Sequence, residues 1–148
     1  MTYIGIDPGK SGAIAMLRGG ECGSYNLDNT EADVAAYLEP GVGPYFALLE
    51  RAAARPGQGV SSMFKFGQSY GFLRGLLIAH RIPFEEVTPQ KWQSAMGCLS
   101  KGDKNVTKAR AQQLFPQLKI THANADALLI AEYCRRVRTG MITRKETA

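Results

Sequence analysis

Tyr3-Ile4-Gly5-Ile6-Asp7-Pro8-Gly9-Lys10-Ser11-Gly12-Ala13-Ile14-Ala15 sets an apolar run, a carboxylate, a Pro-Gly turn and a second apolar run in succession. The pattern predicts two strands joined by a tight turn, with Asp7 at the lip of the first. An unpaired charge is costly at the end of a buried strand. Asp7 is therefore either tied down by hydrogen bonds in the turn or the holder of a cation.

Working outward, residues 2–7 and 12–18 read as the two strands, and Gly19-Gly20 turns the chain into a third over 21–26. Asp28-Asn29-Thr30 offers N-caps for a helix over 31–39, which Pro40-Gly41 ends. Tyr45-Phe46-Ala47-Leu48-Leu49 is a short buried strand closed by Glu50. Residues 51–61 are rich in Gly and Ala without a period, and read as a mobile loop. A helix over 62–80 repeats glycine at Gly67, Gly71 and Gly75. Each costs up to about 1 kcal/mol against Ala in a helix. That stripe predicts another backbone packed close against it.

Residues 83–87 read as a strand, and Thr88-Pro89 starts a helix that carries Trp92, expected in the core, and stops at Gly97. After a loop over 98–103, helices are expected over 104–114 and 124–138, then a flexible polar tail over 139–148. The order β-β-β-α-β-α-β-α-α-α predicts an α/β fold. Its mixed sheet joins an antiparallel three-strand meander to parallel strands, with helices on its faces. No boundary divides residues 1–148, so a single domain is expected.

The 148 residues are 45% hydrophobic and 21% charged, the balance of a globular protein with a proper core. No apolar run approaches the ~20 residues of a membrane span. The first residues lack the charged-then-apolar pattern of a secretory leader. Cys22, Cys98 and Cys134 are too scattered for a disulfide framework or a zinc knuckle, and a reducing cytoplasm is the expected compartment. The net charge of +5 is uneven: residues 1–96 sum to −1 and residues 97–148 to +6. A basic half beside an acidic one suits a polyanion partner, although a solvated basic tail would give the same count.

Three carboxylates stand at the ends of predicted elements: Asp7, Glu50 and Asp126. Neighbouring parallel strands would set Asp7 beside Glu50, and a packed helix would bring Asp126. Crowded carboxylates repel unless a divalent cation neutralises them, and hard oxygen ligands favour Mg²⁺ or Mn²⁺. Two such ions roughly 4 Å apart activate a water and stabilise the leaving oxygen of a phosphodiester. His122 precedes Asp126 by four residues, so the two share a face if both are helical. It is either a participant at the metals or a surface histidine outside the helix. His80 has no acidic neighbour in sequence. Lys101, Lys104 and Lys108, around a helix start, and Arg135, Arg136 and Arg138, at a helix end, are candidate phosphate partners. The arginines would also suit the helix dipole. Met63, Phe64 and Phe66 flank the 51–61 loop, as core residues or as a wedge between bases.

Ile4-Gly5-Ile6-Asp7-Pro8-Gly9 with Ser11-Gly12-Ala13 resembles the first motif of RuvC-type Holliday junction resolvases. The resemblance runs through Leu49-Glu50, the segment from Gly57 to Gly67, Val87-Thr88-Pro89-Gln90-Lys91-Trp92 and Ala111-Gln112-Gln113-Leu114-Phe115-Pro116. It ends on His122-Ala123-Asn124-Ala125-Asp126-Ala127-Leu128-Leu129-Ile130-Ala131, and is closest to the phage, bacterial and plant organellar branch.

The resemblance implies an RNase H-like fold and a homodimer that cuts four-way DNA junctions with Mg²⁺. Mn²⁺ would substitute, with two ions per site. It implies Asp7, Glu50 and Asp126 as the metal-binding acids and moves His122 to the catalytic group. One departure stands: three positions before the last Asp, where the main bacterial branch carries an acid or a histidine, this chain has Ala123. Lys10 and Ser11 are expected near the scissile phosphate. Gln58, Ser61, Ser62, Lys65 and Lys91, in the shared segments, are further expected DNA contacts. The rivals are another nuclease of this fold acting on RNA–DNA hybrid or branched DNA, a non-catalytic junction-binding module, and an actin-like kinase. A kinase of that kind needs two such domains, and an acid trio is a poor design for a pure binder of phosphates.

Overall fold

Pro8-Gly9 reverses the chain after the first apolar run, and the glycine takes a φ of +111° there. Strand β1 (Thr2–Asp7) pairs antiparallel with β2 (Ala13–Arg18), with Asp7 opposite Ala13. A second hairpin adds β3 (Glu21–Asn26), completing the meander. The computed structural model describes residues 1–51, 53 and 56–143. Parts of the expected loop (52, 54 and 55) and of the expected tail (144–148) lie outside those residues.

Helix α1 (Glu31–Leu38) begins at Thr30, whose hydroxyl accepts from the Asp33 amide at 3.2 Å. Strand β4 (Tyr45–Glu50) then joins β1 in parallel, and β5 (Phe84–Val87) joins β4 in parallel. Between them runs α2 (Val60–Ala79), which starts two residues earlier than expected because Gly59 caps it in extended conformation. Three helices follow β5: α3 (Pro89–Ala95), α4 (Lys104–Leu114) and α5 (Ala125–Arg138). The five-stranded sheet has the order β3-β2-β1-β4-β5.

Side chains alternate across each strand, and the alternation divides the core in two. Ile4, Ile6, Ile14, Ala47 and Leu49 face α1 and α2, meeting Val34, Leu38, Leu73 and Leu77. Ala13, Ala15, Leu17, Phe46, Leu48 and Val87 face the other way, toward α3, α4 and α5. On α5 every residue from Ala127 to Cys134 is buried, as expected of a helix apolar nearly all round. Among the described residues, no helix is long and apolar enough to cross a membrane.

The glycine stripe does not play the expected part. A methyl group built on Gly67, Gly71 or Gly75 would meet nothing within 4 Å. The close backbone approach is instead at Gly5, where a Cβ would stand 2.2 Å from the Ala131 amide nitrogen and 2.3 Å from the Ala127 carbonyl oxygen. Helix α5 lies on β1 because that position has no side chain.

Candidate active site

The parallel register sets Ile6 beside Leu49, so Asp7 and Glu50 follow as neighbours at the C-terminal ends of β1 and β4. Alternation turns both toward the α5 face, the side that Gly5 and Leu48 also share. Because Gly5 admits the backbone of α5, the first turn of that helix arrives over the same edge and carries Asp126.

The electrostatics record the convergence. Burial raises the Asp7 carboxyl well above its ordinary range; the charges of Glu50 and Asp126 add to the rise, and Lys104 offsets part of it. Burial raises Asp126 as well, while a hydrogen bond from Thr107 and the charges of Lys104 and His122 pull it back. Cys98 is pushed up to about 11 by burial and then by Asp126, so this nearby thiol stays protonated at neutral pH.

Among the described residues, no three His, Cys, Asp or Glu side chains form a ready-made cation cage. The donor set nonetheless fits a hard cation. Asp126 Oδ1 is buried without a hydrogen-bond partner, and Asp7 is crowded by two like charges.

His122 is not helical. It is exposed in the turn before α5, and acts on Asp126 through charge rather than from a shared helix face. That turn is fixed by Asn124, which sequence reasoning passed over. Its Oδ1 accepts from the Thr121 amide at 2.8 Å, and its Nδ2 donates to Ser24 Oγ on β3 and to the Lys119 carbonyl.

Two concavities meet at Glu50. One, of about 640 Å³, runs past Gln90, Gln93, Ser100, Lys101 and Lys104 to Asp126. The other, of about 410 Å³, runs past Pro8, Gln58 and Phe66. Lys10, Ser62 and Lys65 line a neighbouring cleft between α1 and α2, with Phe66 on the wall between the two. Ser11 is exposed in the first turn, and Ser61 in the first turn of α2, where a loop was expected. Lys108 is half-buried on α4. Lys91 lies elsewhere, beside Glu85 and Glu86. Of the aromatics flanking the loop, Phe64 is 68% exposed rather than in the core.

The arginine cluster is largely committed within the chain. Arg135 bonds both oxygens of the buried Glu132, at 2.7 and 2.6 Å, and Arg136 adds a third bond at 2.8 Å. Burial would lift Glu132, but these bonds hold its carboxyl below its ordinary value. Arg138 stacks 4.1 Å over the Phe46 ring. Trp92, expected only as core, is fully buried and also donates its indole N–H to Glu50 Oε2 at 2.7 Å. A tryptophan four residues after a Thr cap, on the helix that follows the β4-β5 pair, was the signal available for it.

A mixed sheet with an antiparallel meander, parallel strands beyond it and helices on both faces is an RNase H-like fold. Within that class the fold is similar to that of the Thermus thermophilus RuvC structure, which it matches with a TM-score of 0.62 at 18% identity, over 95% of this chain and 97% of that one. T. thermophilus RuvC in complex with Holliday junction substrate matches with a TM-score of 0.59 at 17% identity, over 95% and 96%. At these identities the likeness is one of fold. No family model and no curated protein matches the sequence.

Proposed function

We propose that the chain is a single-domain, divalent-metal-dependent endonuclease that resolves four-way DNA junctions by paired phosphodiester hydrolysis. The observation that carries this reading is the meeting of Asp7, Glu50 and Asp126 at one sheet edge of a RuvC-like fold. The neighbouring solved structure of RuvC with its junction substrate supports the choice of DNA.

In this reading Asp7, Glu50 and Asp126 hold Mg²⁺, or Mn²⁺ in its place, two ions to a site. When bound, the ions activate the attacking water and stabilise the leaving oxygen. The chain's own residues do the rest. Lys101 and Lys104 meet phosphates along the larger concavity, and Lys108 extends the same helix face. Gln58 marks the other concavity, and Lys10, Ser11, Ser61, Ser62 and Lys65 receive the strand beyond it. His122, exposed beside Asp126, takes or orients a proton of the attacking water. Two symmetric cuts need two sites, so the working form is a homodimer. Helix α2 is the candidate contact, for it exposes Val60, Phe64 and Ile78 along with its glycines.

The test is cleavage of a synthetic four-way junction into nicked duplexes with Mg²⁺ present. Asp7→Asn is expected to cut below about a thousandth of the wild-type rate while binding the junction normally. Equal cutting of linear duplex or RNA–DNA hybrid would replace the resolvase by another nuclease of this fold.

A further inference from the structure

We infer that Trp92 is a positioning residue for Glu50: its indole N–H fixes the orientation in which that carboxylate meets a divalent cation. The inference rests on Glu50 being a cation ligand. The bond is short, 2.7 Å from Nε1 to Oε2, and spans 42 residues of sequence. Indole is a donor only, so Glu50 Oε2 is the accepting atom and its direction is set by a ring that has no other polar group. The ring cannot swing away. Trp92 has no exposed surface and sits in the core cluster with Val87, Met96 and Leu128.

Helix α3 is itself pinned at both ends. Thr88 Oγ1 accepts from the Lys91 amide at 3.4 Å, and Pro89 occupies the first turn. At the far end Arg110 Nε donates to the Met96 carbonyl at 2.9 Å. Gln93 Oε1 accepts from both the amide and the hydroxyl of Ser100 at 3.2 Å, tying α3 to the loop that lines the groove. Packing alone would be served by any large apolar side chain. A buried N–H aimed at a carboxylate on the acid edge serves a second purpose: it holds a ligand still before the cation arrives. Outer partners of this kind are worth about 10- to 100-fold in metal affinity.

Trp92 is the chain's single tryptophan, so two clean experiments are open. Biosynthetic replacement of tryptophan by benzothienylalanine exchanges one N–H for sulfur at one position and keeps the bicyclic shape. Trp92→Phe is the second variant. With Mn²⁺ alone as the probe, calorimetry is expected to give a Kd about tenfold weaker in both. The cation-free melting temperature of the benzothienyl protein should stay within about 2 °C of wild type. Its kcat on a junction should fall with KM held within about twofold. Trp92 emission in the native chain should respond to Mn²⁺, and Glu50→Gln should abolish the response.

An unchanged Mn²⁺ Kd in the benzothienyl protein overturns the inference, and so does a lowered melting temperature with unchanged Kd, which would mean packing alone. Weakened Mn²⁺ binding in the benzothienyl protein, with a native chain that binds Mn²⁺ but cuts no junction, upholds the role of Trp92 and overturns the junction substrate. Failure of the native chain to bind Mn²⁺ overturns both.

Discussion

Helices α5 and α2 lie on opposite faces of one sheet, and each involves glycine, but to opposite effect. Under α5 the glycine belongs to the strand: Gly5 lets two backbones close to a distance no side chain would tolerate. On α2 the glycines belong to the helix, and Gly67, Gly71 and Gly75 face open space. The first arrangement sets Asp126 over Asp7 and Glu50. The second leaves the outer side of the helix open at three positions. A glycine repeat in a helix is easy to see in sequence, whereas a lone glycine in a strand acquires meaning only from what packs on it.

The comparison can be broken most forcefully at Gly5. Gly5→Ala is expected to cost about 3 kcal/mol or more, because the obstacles are backbone atoms of α5 that cannot rotate aside. Thermal melting and junction cutting should fall together; wild-type values in both would mean that the seam is not tight.

Asp7→Asn sharpens it from the same side. The folded carboxyl has a raised pKa, so its ionised form works against the fold above that pKa, and the penalty fades as pH falls toward the ordinary value of 3.8. Without divalent cations the variant should therefore melt roughly a few degrees higher than wild type at pH 7.5, with the gap closing in acid. Added Mg²⁺ should raise the wild-type melting temperature more than that of the variant.

His122→Ala probes the turn that enters α5. It should slow cutting about tenfold with little change in junction affinity. An unchanged rate would make it a surface histidine. The smallest effect belongs to α2. Gly71→Ala should stabilise an isolated protomer by up to about 1 kcal/mol. If α2 pairs with a second copy, sedimentation should also show weaker association.

Much of the framework was legible because local chemistry decides it. Pro8-Gly9 makes the first turn, Thr88-Pro89 starts α3, and apolar runs ending on Asp7 and Glu50 mark parallel strands. The pairing of those two acids followed from sheet register. Two features escaped because their partners are distant in sequence. Trp92 meets Glu50 across the β4-β5 pair, and Asn124 reaches Ser24 on β3. For His122 the shared helix face was conditional on a helical residue, and the helix begins three residues after it. The arginines at the end of α5 read as partners of phosphate or of the helix dipole, whereas Glu132, three and four residues earlier on the same helix, holds two of them.

Those arginines have a consequence for how the chain would meet a polyanion. A cation already bonded to Glu132 or stacked on Phe46 has little reason to trade its partner for a phosphate. The counterions released on binding should then number fewer than the basic residues of the C-terminal third suggest. A plot of log affinity against log salt would have a slope set chiefly by the lysines of the groove, near −0.9 for each phosphate that they engage.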